Sequence, residues 1–366
     1  MPDPRVSRLA KVIVRYSTSV KPGERVLIRA SSVSAPLVLE LEREILAAGA
    51  FPVSRISVPG QAYNFYRNAK DAHLRDVSPL ARYDAKICKV AISILDDSNT
   101  RELTSIHPEK VALRRKSLQP LSEYVMKHVR WCLTLFPTEG QAQDADMSLA
   151  EYQDFVYATM FCNRKNPIAE WNALERRQES LTRQLNRAKR IQILGKETDL
   201  TMDVRGRKFI NSSGHYNMPS GEVFTAPLER SVEGTILYED FPTIYGGREV
   251  SGVFLRFKNG KVVEASAEKN EAFLLKMLDL DRGARYLGEL GIGTNFGIQR
   301  FTRNILFDEK IGGTIHLALG RAYEECLGTN KSALHWDMIK DLRKHGKVLV
   351  DGKPLVRAGR MLKVRT

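Results

Sequence analysis

The sequence has little cysteine, no closely spaced cysteine pair and no long apolar segment. Its four cysteines lie far apart, at Cys88, Cys132, Cys162 and Cys326. This spacing argues against a disulfide framework or a thiolate zinc site and favours buried free thiols in a reducing compartment. The apolar runs, such as VAISILDD, are too short to cross a bilayer. We therefore expect a cytoplasmic protein with no membrane partner.

Phosphate-binding loops and nucleic-acid motifs are also missing. Neither GxGxxG nor GxxxxGK[ST] follows a predicted strand, so nucleotide binding is a weak hypothesis. The net charge of +14 raises the question of a nucleic-acid partner, but the basic residues are spread along the chain. The densest run, LRRKSLQP, has no interleaved aromatic residues. A solvated basic surface is the favoured interpretation, and no specific nucleic-acid partner is expected.

Strand-like and helix-like segments alternate through the first half of the chain. Strands are predicted at RVLIRA, FPVSRISV, AKICKVAISILDD and RWCLTLFP, and a basic helix from about Pro108 to His128. This order predicts an α/β domain of the doubly wound kind with a mainly parallel sheet. A helical stretch then runs to Arg190, where we place the domain boundary.

After residue 191 the pattern changes to short alternating segments. KNGK and VDGK predict hairpin turns, because Asn-Gly and Asp-Gly readily adopt positive φ. One helix is expected near Asn270 to Leu278. The predicted fold class is therefore α/β plus α+β, with an N-terminal α/β domain over residues 1–190 and a strand-rich C-terminal domain over residues 191–366.

Acids and histidines of the second half fall into short clusters. Glu222 opens an apolar strand, a position at which an exposed acid is common. Glu289 lies among apolar and small residues, where an unpaired carboxylate would be costly to bury. His316 lies in the apolar segment TIHLALG, so a hydrogen-bonded core histidine competes with a metal ligand. Asp308 and Glu309 offer oxygen donors just upstream.

The segment SALHWDMIKDLR contains an HxD pair, His335 and Asp337. In a strand, alternate residues share a face, whereas on a helix two side chains at this spacing would point about 200° apart. The alternation of Leu334 out, His335 in, Trp336 out and Asp337 in favours a strand. The two polar groups would then converge.

Taken together, these donors could hold two divalent cations. Histidine and carboxylate ligands admit zinc, cobalt, manganese or magnesium. Such a pair of ions can activate water for hydrolysis, and Tyr323, just past Gly320, could donate to an oxyanion. The set to be tested comprises Glu222, Glu289, Glu309, His316, His335 and Asp337.

At these clusters the sequence resembles the thermophilic metalloaminopeptidase family, of the aminopeptidase T and aminopeptidase S type. The matching stretches are GEVFTAP, VEGT, LGEL, LFDE, HLALGRAY and SALHWDM. The resemblance implies a homodimeric metalloaminopeptidase that acts on peptides with a free N-terminus through two divalent ions. It also implies that Glu222, Glu289, Glu309, His316, His335 and Asp337 are the metal ligands.

Within that set the resemblance gives Glu289 the position that bridges the two ions. Outside the set, it gives Tyr323 the role of the catalytic phenol. One departure concerns Glu309: the segment KIGGTI, between it and His316, is longer than in longer family members. If this spacing displaces Glu309, the second ion would be held weakly. Two alternatives stay open: a metal-dependent hydrolase of another amide or ester and, less favoured, a basic nucleic-acid-binding protein.

Overall fold

A computed structural model describes residues 3–362 of the chain. The chain divides into two compact units. The first consists of the chain up to Trp171 together with Gly214–Pro219, and the second of Asn172–Ser213 and the chain from Ser220 onward. This division falls inside a helix that ends at Leu185. The domain boundary at residue 190 stays a prediction.

The helices and strands are numbered here in chain order. The α-helices are α1 Pro4–Val12, α2 Ala35–Ala47, α3 Gln61–Asn68, α4 Asp71–Arg75, α5 Pro79–Ile87, α6 Pro108–His128, α7 Glu139–Asp144, α8 Leu149–Thr159, α9 Pro167–Leu185, α10 Glu271–Leu278 and α11 Ile305–Asp308. The strands are β1 Arg25–Ser31, β2 Phe51–Ser57, β3 Val90–Leu95, β4 Arg130–Leu135, β5 Arg190–Gly195, β6 Thr198–Asp203, β7 Ile210–Ser212, β8 Asn217–Met218, β9 Glu222–Thr225, β10 Glu233–Tyr238, β11 Thr243–Tyr245, β12 Arg248–Val250, β13 Val253–Lys258, β14 Lys261–Ser266, β15 Leu287–Gly293, β16 Thr314–Gly320, β17 His335–Asp341, β18 Lys347–Val350, β19 Lys353–Arg357 and β20 Arg360–Met361. Within the described residues, no helix combines the length and apolar character that crossing a membrane requires.

The first unit contains a parallel sheet in the order β2-β1-β3-β4-β8. Val26, Leu27 and Ile28 of β1 are all buried in succession, as expected for a strand covered on both faces. The predicted strand over AKICKVAISILDD is wrong in its first part. Helix α5, which begins at Pro79, continues to Ile87, and β3 begins only at Val90.

The second unit is rich in antiparallel strands, with an eight-stranded sheet in the order β14-β13-β10-β6-β5-β18-β19-β20. The Asn-Gly and Asp-Gly hairpins are confirmed. Asn259 and Gly260 join β13 to β14 with φ of 50° and 80°, and Asp351 and Gly352 join β18 to β19 with φ of 49° and 79°. The predicted fold class, a parallel α/β part and a strand-rich part, is confirmed.

Five of the candidate functional residues lie on the second unit's other large sheet, in the order β17-β16-β15-β9-β7. All of its strand pairs are antiparallel. One face of this sheet packs into the main hydrophobic core through Val223, Leu290, Ile292, Ile315, Leu317, Leu319, Trp336 and Met338. The alternate residues of the same strands therefore form the opposite face, on which the polar side chains lie.

Candidate metal centre

Five of the predicted donors lie on that opposite face. They are Glu222 on β9, Glu289 on β15, His316 on β16, and His335 and Asp337 on β17. Ile339 pairs with His316 across the strands, but the other residues that pair with the donors are small: Ser212, Gly291, Gly293, Ala318 and Gly320. Small residues between the donors leave space over the sheet, so the long polar side chains can turn toward one another.

The strand predicted for the HxD pair is confirmed, since His335 and Asp337 both lie on β17. The expectation that Leu334 and Trp336 point outward to solvent is wrong, because their exposed fractions are 0% and 1%. Trp336 packs in the core behind the sheet. Both faces of β17 are therefore covered, one by apolar packing and the other by the donor groups.

Gly291 is required by the close approach of His316. A Cβ atom at position 291 would lie 1.9 Å from His316 Cε1 and 2.1 Å from Nε2. The imidazole therefore occupies the space that any side chain at position 291 would need. Gly291, in the segment LGELGIG, therefore serves to leave room for His316 and does not form a turn.

Glu309 follows α11 directly, and the longer segment after it is anchored by Asn295. The Asn295 N–H donates to the Lys310 carbonyl at 3.1 Å, and the Gly312 N–H donates to the Asn295 carbonyl at 3.0 Å. These bonds hold the start of the segment, so its length does not displace Glu309 from the other donors. Asp308 does not join them: its Oδ1 accepts hydrogen bonds from the Thr302 N–H and hydroxyl.

The donors gather in two groups. The first group is Glu222, Glu309 and His316, and the second is Glu289, His335 and Asp337. In each group one ligand atom from every member lies within 4.8 Å of the others. In the part of the chain that the structure describes, Glu222 Oε2 and Asp337 Oδ1 are buried and have no hydrogen-bond partner. Each group thus has a carboxylate oxygen that a bound cation would satisfy, and the donor types suit divalent ions.

Both histidines are oriented through the backbone. The Nδ1–H of His316 donates to the Glu309 carbonyl at 3.0 Å, and that of His335 donates to the Arg321 carbonyl at 2.8 Å. In each ring Nε2 is therefore left to face the carboxylates. Histidine ligands of metals in proteins are commonly held in this way.

Glu289 lies between the groups. Its Oε1 is 3.3 Å from His316 Nε2, and its Oε2 is 3.4 Å from His335 Nε2. One carboxylate therefore faces a histidine of each group.

The electrostatics of the centre reflect burial and crowded charge. Burial raises the pKa of Glu222 to about 7, although Lys310 acts in the opposite direction. Burial likewise raises the pKa of Asp337 to about 6 against the effect of His335. For His316, burial acts to lower the pKa, but Glu289 and Glu222 raise it to about 10. Such carboxylates and imidazoles must lose protons when a cation binds, so binding should release protons.

Tyr323 lies beside the second group. Its hydroxyl is 3.4 Å from His335 Nε2, and its ring packs edge-on against those of Phe224 and His335. Burial of the phenol, together with the charges of Glu289 and Asp337, raises the pKa of Tyr323 well above its usual range. The hydroxyl therefore keeps its proton and can donate it in a hydrogen bond.

Lys310 is the one member of the centre that the sequence reasoning missed. Its side chain is completely buried, and its Nζ contacts Glu309 Oε1 and lies 3.7 Å from Glu222 Oε1. A signal was present: a lysine between an acid and the low-polarity stretch IGGTI is unusual, since lysine is almost never fully buried unless it is paired.

The fold and the site define a class of protein in which buried carboxylates and histidines on an antiparallel sheet are suited to a divalent cation. The particular family follows from comparison with known proteins. The sequence model described as thermophilic metalloprotease (M29) matches residues 3–360, and the chain belongs to this family. The predicted family is confirmed, and with it the requirement for a divalent metal.

Two related sequences and one solved structure match almost the whole chain. Aminopeptidase T of Thermus thermophilus is 27% identical, with 97% of this chain and 98% of the relative covered. Aminopeptidase 2 of Geobacillus stearothermophilus is also 27% identical, with 98% and 97% covered. The solved structure of wild-type AmpT from Thermus thermophilus superposes with a TM-score of 0.86 at 25% identity, covering 98% of this chain and 99% of that one.

Proposed function

We propose that this protein is an aminopeptidase that removes N-terminal residues from peptides at a centre of two divalent metal ions. The predicted enzyme class, a metal-dependent aminopeptidase, is confirmed by its family and by the named relatives. The two-ion centre and the role of each residue stay predictions. One observation carries the proposal: six donors converge in two groups, each with a buried carboxylate oxygen that has no hydrogen-bond partner among residues 3–362.

In this proposal Glu222, Glu309 and His316 hold one ion, and Glu289, His335 and Asp337 hold the other. Glu289 serves both, which its position between the two histidines supports. When bound, the ions supply Lewis acidity that activates a water molecule and polarises the scissile carbonyl. Zinc, cobalt, manganese and magnesium all suit such donors.

The protein's own groups have three tasks in the reaction. The backbone carbonyls of Glu309 and Arg321 hold the histidine rings, so that Nε2 faces the reacting centre. The buried carboxylates provide the negative charge that retains cations and attracts the free α-amine of a peptide. The Tyr323 hydroxyl, protonated at neutral pH, donates to the oxygen of the carbonyl as negative charge develops on it.

The test uses the full chain stripped with a chelator and then reloaded with zinc, cobalt, manganese or magnesium. We expect release of the N-terminal residue from a short peptide to disappear with the metal and to return on reloading. The same peptide with an acetylated N-terminus is the matched control and should not be cleaved. Cleavage of both peptides at equal rates, or activity that survives complete metal removal, would contradict the proposal.

A homodimer and a cytoplasmic location are further parts of this proposal. The dimer rests on the resemblance to the metalloaminopeptidase family, and the location rests on the four buried, free cysteines. Light scattering on the purified chain would measure the oligomeric state. A monomer at micromolar concentration would contradict the dimer and leave the catalytic proposal intact.

A further inference from the structure

The two groups of donors differ in one respect that their composition does not reveal. The first group already contains a cation of the protein, the ammonium of Lys310. This ammonium contacts Glu309 and lies 3.7 Å from Glu222, so it pairs with both carboxylates of that group. Within the described residues, Glu289 and Asp337 of the second group have ion-pair contacts with histidines alone.

The backbone holds Lys310 in this place. Its N–H donates to the Phe307 carbonyl at 3.0 Å, and its carbonyl accepts from the Asn295 N–H at 3.1 Å. Asn295 is itself completely buried, and its side-chain amide donates to the Ser220 carbonyl at 2.9 Å. The lysine side chain therefore starts from a fixed point inside the protein and has no solvent-exposed atoms.

Lys310 is paired on two sides in these surroundings: its Nζ contacts Glu309 Oε1 and lies 3.7 Å from Glu222 Oε1, and its side chain has no solvent exposure. A buried ammonium of this kind is tolerated because it is paired, and removing its partners would leave an uncompensated charge.

The net charge of the whole centre also supports a role for the Lys310 ammonium as one of its cations. The two groups together contain four carboxylates. Two divalent ions would already balance four carboxylates, so the addition of the Lys310 ammonium would leave excess positive charge in a site with little water. Uncompensated charge in such a site is costly. One divalent ion together with Lys310 leaves one net negative charge instead, and a net negative charge favours the amine of a peptide.

We propose that the Lys310 ammonium takes the place of one of the two ions, so that the protein holds one divalent ion tightly, at Glu289, His335 and Asp337. This inference rests on the proposed function and narrows its two-ion form. A second ion binds at Glu222, Glu309 and His316 only by displacing Lys310. Lys310 is thus a positioning residue that supplies fixed positive charge beside the reaction centre.

The experiment measures metal binding directly. The full chain is stripped with a chelator and titrated with Zn²⁺, and bound zinc per chain is determined by elemental analysis and calorimetry. We expect one tight equivalent in the wild type, with the second at least about 100-fold weaker, because the second ion must break a buried ion pair. In Lys310→Met, which keeps most of the side-chain length and removes the charge, we expect two equivalents that differ by less than about tenfold.

Lys340→Met is the matched control. Lys340 is also buried, at 2% exposure, and pairs with two carboxylates, Glu239 and Asp240, each at 3.8 Å. Neither of these belongs to the metal groups. We expect one tight equivalent in this variant, as in the wild type. Two tight equivalents in Lys340→Met would show that loss of any buried lysine has the effect, and would overturn the specific role of Lys310.

Two further measurements keep the inference testable if Lys310→Met does not fold. The wild type alone decides the stoichiometry, and two equally tight equivalents would overturn the proposal. Glu222→Gln should keep the tight ion, whereas Asp337→Asn should lose it; the reverse pattern would overturn the proposal as well. A chain that binds one ion but cleaves no peptide refutes the proposed function only, and a peptide-cleaving chain with two equally tight ions refutes this inference only.

Discussion

The two donor groups of the metal centre invite comparison, because they share their donor types but differ in their surroundings. The first, with His316 at 0% side-chain exposure, is closed and contains the Lys310 ammonium. The second has His335 at 18% side-chain exposure and Tyr323 beside it, at the more accessible side. The difference shows that one sheet face can carry two groups of similar donors in different surroundings: the first is closed to solvent and contacts a lysine ammonium, whereas the second is partly open.

The largest effect is expected for Glu289→Gln, which removes the carboxylate that faces both groups. Each Glu289 oxygen faces one histidine, so both groups lose a charged partner at once. We expect metal affinity to fall by more than about 100-fold and peptide cleavage to be nearly lost. Elemental analysis and a peptide-release assay would measure the two effects.

Glu264→Gln is the control for that change, since Glu264 is 53% exposed and pairs with Arg256 at the surface. It should leave metal content and activity unchanged. An unaltered metal complement in Glu289→Gln would remove Glu289 from the centre and with it the link between the groups.

A smaller effect, confined to the second group, is expected for Tyr323→Phe. Loss of the hydroxyl removes the donor 3.4 Å from His335 Nε2 without removing a charge. We expect kcat to fall by about 100-fold, with KM and metal content nearly unchanged. Tyr124→Phe, at an exposed tyrosine on α6, should change neither quantity. If Tyr323→Phe lost metal and turnover to the same extent, the phenol would be structural.

Gly291→Ala should disturb the first group more than the second. The added Cβ would lie 1.9 Å from His316 Cε1, so the imidazole must move. We expect the free energy of unfolding to fall by about 1–3 kcal/mol, while the tight ion at the second group is kept. Denaturant unfolding and metal analysis would check both points.

Gly195→Ala is the matched control, because the nearest atom to its added Cβ, Lys340 Cε, lies at an ordinary 3.5 Å. It should leave the unfolding free energy close to that of the wild type. Equal stability of Gly291→Ala and the wild type would mean that His316 adjusts freely, and that its position is not set by this glycine.

An effect common to both groups is a pH dependence of the metal-free protein. The pKa of Glu222 is raised from 4.5 to about 7 and that of Asp337 from 3.8 to about 6, by burial above all. Because the folded state binds these protons more tightly, their contribution to stability is lost as the pH rises through 6 and 7. The pKa of His316 is about 10, since Glu289 and Glu222 outweigh its burial, and its contribution is lost above the ordinary value of 6.5.

Glu309 affects the stability of the metal-free protein over a different pH range. Lys310 and His316 lower the pKa of Glu309 against the effect of burial, so its contribution is lost only below the ordinary value of 4.5. The apparent melting temperature of the metal-free protein should therefore fall from pH 5 to pH 8, by about 2–4 °C for each kcal/mol lost. Added metal should stabilise more at pH 8 than at pH 5, since its ligands must be deprotonated. A melting temperature that rises over this range without metal would contradict the assigned shifts.

Much of this centre was predictable because strands have a period of two. His335 and Asp337 share a face in any strand, and the alternation of donors with Leu317, Leu319 and Trp336 requires a polar face and a core face. What alternation could not predict is that both faces of β17 are covered. Trp336 is buried as deeply as a core residue, because a second layer packs behind the sheet.

The burial of Lys310 within the first donor group could not be predicted from the sequence. The chain shows a lysine beside an acid, which on a surface would be an ordinary solvated pair. The hydrogen bond from the Asn295 N–H to the Lys310 carbonyl, together with that from the Lys310 N–H to the Phe307 carbonyl, holds this lysine in the first donor group. Asn295 and Lys310 are distant along the chain, so no local pattern relates them.

The sequence by itself determined which donors exist, that His335 and Asp337 share a strand face, and to which family the chain belongs. These features depend on residue type and on local backbone periodicity, both of which follow directly from the order of residues in the chain. The tertiary structure decided which donors pair, that Glu289 lies between two histidines, and that a cation of the protein already occupies the first group. Those features depend on the register of four strands and on one buried loop, since contacts between distant residues form only when the whole sheet is packed.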